Sequence, residues 1–265
     1  MAIQLVAVDM DDTLLDKALQ VSPRTCDAIR KAHEQGVRIT IATGRMFSSA
    51  MPFARELNMR TPIITYNGGM IRSAVTGEML FHKTIAPSVA GQLLALFREN
   101  GWYLQSYIND ELYVAERTEK TKSYESLAGI AAVTVGDRFY SMQHESTKML
   151  AIGQPQEILK IQKLLRQEFA GEIFAAISKP NYLEITHPCV NKGYGLEILA
   201  NNLGIDREEV MAIGDSHNDI PMLQYAGFGV AMDNAGEKVK AAARVVTGHH
   251  DAHGVAEALE KYVLR

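Results

Sequence analysis

Cysteine is scarce in this chain, with two in 265 residues, Cys26 and Cys189. Two thiols so far apart form no disulfide framework and match none of the paired spacings that hold zinc. A reducing cytosol is the simplest setting for such usage. Positive charge is not in excess either: 27 Lys and Arg face 31 Asp and Glu, a net charge of -4. No global basic field is present to attract nucleic acid, so an anionic ligand would need local positive charge. Long apolar runs are missing, and none approaches the roughly 20 residues that cross a bilayer. The opening MAIQLVAVDMDD turns acidic without a basic leader, unlike a signal peptide. Internal repeats and low-complexity stretches are absent. These absences predict a soluble, cytoplasmic protein with no nucleic-acid and no membrane partner, and they leave the oligomeric state open.

What the chain does contain is ordinary for a globular protein: 47% hydrophobic and 22% charged residues, enough for one large domain or two of usual size. IQLVAV (3–8) is a short β-branched run. TCDAIRKAHEQG follows with helical spacing and Gly36 as a stop, and VRITIAT (37–43) is strand again. A helix over MPFARELNM and a strand over TPIITYN (61–67) continue the alternation, which implies right-handed crossovers and a parallel sheet covered on both faces. The pattern then changes. Two hairpins, one turning at Thr76-Gly77 and one at NDE, mix with helices and single strands to about residue 188. From Asn191 the strand–helix alternation resumes. The reading is an α/β protein with a doubly wound parallel sheet. One discontinuous core domain takes residues 1–82 plus 189–265, and an α+β module takes 83–188.

In open parallel sheets ligands bind beyond the carboxyl ends of the strands. At those ends lie Asp9, Asp11 and Thr13 after the first strand, Thr43, Gly44 and Arg45 after the second, and GDSHNDIPM with Asp215, Asn218 and Asp219 after a late one. Lys192 opens the helix before that late strand. Asp9, Asp11, Asp215 and Asp219 together cannot all remain ionised without a cation. An oxygen-only set without Cys or His favours magnesium over zinc. The remaining members suit phosphate: a hydroxyl at Thr43, a closely approachable backbone N–H at Gly44, a point charge at Lys192, and Asn218 at a helix N-terminus.

The constellation resembles the haloacid dehalogenase superfamily of phosphatases. DMDDT is similar to its first motif, ATG to its second, Lys192 to its third and GDSHND to its fourth. The long insert resembles the large cap of the Cof-type, class IIB members, as do the stretches YNGG and GFGVAMDNA. The resemblance implies Asp9 as nucleophile and Asp11 as general acid and base. It further implies Met10, Thr43, Gly44, Lys192 and Asn218 as phosphate clamps. Mg2+ would be held by Asp9, the Asp11 carbonyl and Asp215, with Asp219 supporting them. The expected activity is hydrolysis of small phosphorylated metabolites, sugar-phosphate-like monoesters, through a phosphoaspartate. A phosphomutase on the same core and a catalytically silent phospholigand-binding regulator are the alternatives. One departure stands out: Asp12 occupies the place where the family's first motif usually has glycine, and aspartate tolerates such a turn better than most residues.

Other features have plainer readings. Arg45 is expected to pair with an acid and is left outside the site. Thr43 is expected to cap a helix as well as to serve phosphate. His249, His250 and His253 in HHDAHG are expected to be solvated loop histidines rather than metal ligands. Trp102, Tyr103 and Tyr107 are expected in the core of the inserted module, and both cysteines are expected to be inert.

Overall fold

A computed structural model describes residues 2–264. The chain opens with β1 (Leu5–Val8), α1 (Pro23–Glu34), β2 (Arg38–Ile41), α2 (Phe47–Glu56), β3 (Ile63–Thr65), β4 (Met70–Arg72) and β5 (Met79–His82). Its middle comprises α3 (Pro87–Glu99), β6 (Leu104–Ile108), β7 (Glu111–Val114), α4 (Glu119–Ala128), β8 (Ala132–Thr134), β9 (Lys148–Ile152), α5 (Pro155–Glu168), β10 (Phe174–Lys179) and β11 (Tyr182–Thr186). It closes with α6 (Lys192–Leu203), β12 (Val210–Gly214), α7 (Ile220–Tyr225), β13 (Phe228–Ala231), α8 (Glu237–Ala242), β14 (Val245–Val246) and α9 (Gly254–Tyr262). Two compact units result: Met1–Phe81 with Asn191–Arg265, and His82–Val190.

In the first unit a five-stranded parallel sheet has the order β14-β13-β12-β1-β2. The first and last thirds of the sequence therefore share one sheet, with β1 central between β2 and β12. Its central strands are apolar along their whole length, as a sheet covered on both faces requires: β1 and β12 are buried at every position. Leu5 and Ala7 pack with Leu196, Leu199, Val210, Ala212, Met222 and Leu223 from the elements on one side. A parallel bridge from Ala42 to Ile64 leads on to a small sheet of order β3-β4-β5. The expected strand over 61–67 is shorter than its apolar run suggested. It ends at Thr65, because Tyr66, Asn67 and Gly68 adopt positive φ and form a tight turn.

The second unit is a six-stranded, mainly antiparallel sheet of order β10-β11-β9-β6-β7-β8. One face packs Leu104, Met149, Ala151, Leu183 and Ile185 against α3 and α5 through Phe97, Ile158 and Leu165. Trp102 joins that core. Tyr107 does not, because it alternates to the opposite face, where Gln105 donates to its hydroxyl and that hydroxyl donates to Tyr124. Lys148 is buried on this face, 4.8 Å from the Tyr107 ring centre and 3.6 Å from Glu184. The aromatic string thus divides between an apolar core and a polar layer. Tyr103 also belongs to the polar side, donating to Gln105. The helix α4 and strand β8 are largely exposed and carry no strong apolar period, so the sequence pattern does not mark them.

Candidate active site

Parallel register brings the site together. Val8 pairs with Ile213 on one side and with Ile41 on the other, so the residues that follow all three strands emerge on one edge. Asp9 donates its backbone N–H to Ile213 at 3.0 Å, and Ala42 donates to Val8 at 2.9 Å. After Asp9 the chain makes a wide turn pinned by buried Met10 and closed by Leu14 N–H to Asp9 O and Leu15 N–H to Met10 O. Asp12 takes φ 57° in this turn, the left-handed region where glycine would be easiest. Its side chain is 71% exposed and its carbonyl accepts from the Asn234 amide at 2.8 Å.

Lys192 sits at the centre. It is the first residue of α6, which Asn191 caps by accepting the Tyr194 N–H at 2.9 Å. Its side chain is 1% exposed, and Nζ donates to Asp9 Oδ1 and Asp219 Oδ1, each at 2.6 Å. Asp219 is fully buried, and its second oxygen accepts the backbone N–H groups of Asp215 and Ser216 at 3.0 and 2.8 Å. Asp215 and Asp219 meet as capped loop and capping side chain, because a short turn (His217–Asp219) separates the strand from α7. Asp215 accepts from Thr13 Oγ1 at 2.8 Å and Ser216 Oγ at 3.3 Å.

Asp9, Asp215 and Asp219 each bring a carboxylate oxygen within 4.8 Å of the others. Three carboxylates thus surround one ammonium. Burial pushes the Asp9 carboxyl well above its usual range and Asp219 adds to the rise, against the partial opposition of Lys192. Burial likewise raises Asp215 to about 6; the Thr13 hydrogen bond opposes, and the Asp219 and Asp12 charges add. Burial works against the charge of Lys192, but Asp219 and Asp9 outweigh it and its pKa is raised. The donor set is all oxygen and carries more negative charge than Lys192 neutralises, which fits a hard divalent cation.

The other expected residues have distinct surroundings. Asp11 is not among the three converging acids: both its oxygens accept from Arg45, Oδ2 from Nε at 2.9 Å. Arg45 pairs with an acid as expected, and that acid belongs to the candidate site. Thr43 is buried, but its hydroxyl accepts the Arg45 N–H at 3.1 Å in a local turn, while α2 takes Met46 as its N-cap. Asn218 donates its amide to Asn67 Oδ1 at 3.0 Å. A Cβ on Gly44 would lie 3.0 Å from that same Oδ1. Asn67 was not among the candidates; the sequence places it at the end of the expected strand 61–67 and in the YNGG stretch. The turn it occupies is strained, since Tyr66 and Asn67 both hold left-handed φ at a cost of roughly 1–2 kcal/mol each.

His249, His250 and Asp251 form a second close group of metal-capable side chains. His250 is not the solvated loop histidine expected: it is buried with Nδ1 2.9 Å from the Leu15 carbonyl, while His249 stays partly exposed and Lys17 holds Asp251 at 2.6 Å. The group ties the C-terminal loop to the turn after β1. Among the described residues no helix is long and apolar enough to cross a membrane.

A doubly wound α/β enzyme with acids and a buried lysine gathered at its strand tips is the class that fold and site define. A family model of haloacid dehalogenase-like hydrolases matches residues 6–259. Among curated relatives, the 5-amino-6-(5-phospho-D-ribitylamino)uracil phosphatase YitU of Bacillus subtilis is 28% identical, with 97% of each chain covered. A solved haloacid dehalogenase-like hydrolase of Bacteroides thetaiotaomicron is 32% identical at a TM-score of 0.91, covering 98% of this chain and 99% of its own. A solved subclass IIB sugar phosphatase is 25% identical at a TM-score of 0.83, covering 97% and 98%. The chain belongs to the haloacid dehalogenase-like hydrolases, in their Cof-type branch. It is a phosphate-monoester hydrolase acting on small phosphorylated compounds.

Proposed function

We propose that this protein is a magnesium-dependent phosphatase that works through a phosphoaspartate on Asp9, with sugar-phosphate-like monoesters as its substrate class. The observation that carries the reading is the buried Lys192 held 2.6 Å from both Asp9 and Asp219 beside Asp215. Asp9, Asp215 and the Asp11 carbonyl would hold Mg2+, with Asp219 behind them. When bound, the ion supplies charge that offsets the repulsion between a carboxylate and a phosphate dianion.

This chain's own groups do the rest. An Asp9 oxygen attacks phosphorus while the bond from phosphorus to the leaving oxygen breaks, and Asp11 delivers a proton to that oxygen. Asp11 then takes a proton from water, the water oxygen attacks phosphorus, and the bond to Asp9 breaks, freeing its carboxylate and inorganic phosphate. Lys192 stabilises the charge on the phosphoryl oxygens, joined by the backbone of Met10 and Gly44, the Thr43 hydroxyl and the Asn218 amide. The inserted module, residues 83–188, is assigned the choice among leaving groups, a role supported by likeness to a subclass IIB sugar phosphatase. A reducing cytoplasmic setting suits the two free thiols.

The test is phosphate release from a panel of phosphorylated metabolites with Mg2+. Wild type should release inorganic phosphate, and Asp9→Asn should abolish turnover because an amide is a far poorer nucleophile. Undiminished activity in that variant refutes the mechanism. Transfer back to substrate without phosphate release would favour a phosphomutase, and binding without any turnover would favour a silent regulator.

A further inference from the structure

The turn after β3 is strained, and its contacts show what holds it. Tyr66, Asn67 and Gly68 have φ of 53°, 57° and 97° in succession, and Tyr66 is fully buried despite its bulk. Consecutive residues in this conformation persist only when their surroundings over-determine them, and such strain gathers at functional sites. Here the surroundings are the candidate site. Tyr66 donates its N–H to the Arg45 carbonyl at 3.0 Å and Asn67 donates to the Thr43 carbonyl at 2.9 Å, which locks the turn to the loop after β2. Gly68 meets the start of α6 so closely that a Cβ there would lie 2.2 Å from the Asn191 carbonyl, one residue before Lys192. The Asn67 side chain reaches the loop after β12, accepting the Asn218 amide at 3.0 Å, and its carboxamide overlies Gly44. One turn therefore touches the segments bearing Thr43 and Gly44, Lys192, and Asn218.

We infer that Asn67 is a positioning residue of the phosphate site, fixing the Asn218 carboxamide and the Gly44 loop so that their N–H groups face the transferred phosphoryl group. The inference rests on the proposed function, because it gives Asn67 a task at that same site. A carboxamide can rotate to present either oxygen or nitrogen. The hydrogen bond to Asn67 Oδ1 selects the orientation of Asn218 with Nδ2 toward Asn67 and commits only one of its two N–H groups. Without that acceptor Asn218 is free to turn its oxygen toward an anion, which repels it.

Inorganic phosphate, with Mg2+ present, is the probe. Dissociation constants would be measured for wild type, Asn67→Gly, Asn67→Ala, Asn218→Ala and the Asn67→Gly/Asn218→Ala double variant, with KM and kcat on p-nitrophenyl phosphate alongside. Glycine at 67 keeps the left-handed turn and removes only the carboxamide, so its phosphate-free melting temperature should match wild type. Both Asn67 variants should weaken phosphate binding by about tenfold and raise KM in parallel while kcat changes less. The double variant should lose less than the sum of the two single losses, because the share of Asn67 that acts through Asn218 is already gone in Asn218→Ala. Wild-type phosphate affinity in both Asn67 variants, or fully additive losses in the double variant, overturns the role of Asn67 and leaves the phosphatase reading standing. A wild type that neither binds nor releases phosphate defeats both.

Discussion

Arg45 grips Asp11 with two prongs: Nε donates to Oδ2 at 2.9 Å and the guanidinium's terminal nitrogen donates to Oδ1. Arg45 itself lies over the Phe53 ring, 5.5 Å from its centre, so its end of the pair is braced. Asp11 is half exposed in the acid-rich turn after β1, and its carboxylate is not one of the close group formed by Asp9, Asp215 and Asp219.

Under the proposed mechanism Arg45 positions the Asp11 carboxylate. Arg45→Ala should cost under ~1 kcal/mol of stability, because a partly exposed pair contributes little. Turnover should fall by about tenfold or more, since the placement of an acid–base group carries a large share of its effect. Urea unfolding and steady-state kinetics on one preparation separate the two. A loss of turnover no greater than the loss of folded protein would remove Arg45 from the reaction.

Among the described residues Lys192 is the cation paired with Asp9 and Asp219, beside Asp215. Lys192→Met keeps much of the volume but strands Asp9 and Asp219 without a counter-charge, and breaking such a buried pair typically costs about 3–5 kcal/mol. Adding Asp219→Asn should recover part of the loss by removing one stranded charge. Urea midpoints of wild type and the two variants measure this. A single variant as stable as wild type would mean that the lysine does not neutralise the cluster.

The pH dependence follows from Asp215, raised from 3.8 to about 6 by burial. A carboxyl raised in the folded state binds its proton more tightly there than in the unfolded chain. Its contribution therefore favours folding at low pH and is lost as pH climbs from 3.8 through about 6. Asp9 shifts in the same direction. Relative to Asp215→Asn, the metal-free wild type should thus lose stability across that window. Mg2+ binds the deprotonated acids, so the melting-temperature gain on adding it should be larger at pH 7 than at pH 5. An equal gain at both values, or a larger one at pH 5, would argue against these acids as the ligands.

The apolar strands, the turn and cap residues and the spacing of DMDDT, ATG, Lys192 and GDSHND were determined by the sequence alone, because period and local chemistry need only neighbours a few positions away. From them the doubly wound sheet and the joining of the first and last thirds could be read. Long-range choices could not. Arg45 on Asp11 and Asn67 under Asn218 span 34 and 151 residues, and each depends on side-chain directions fixed only when the strands pack. The buried His250 and the polar layer around Lys148 and Tyr107 belong to the same kind. A loop histidine reads as solvated until another loop covers it, and an aromatic reads as core until the strand's alternation assigns its face. Tertiary structure decided these because a polar group's partner is whatever the fold brings within three ångströms, a fact no local pattern encodes.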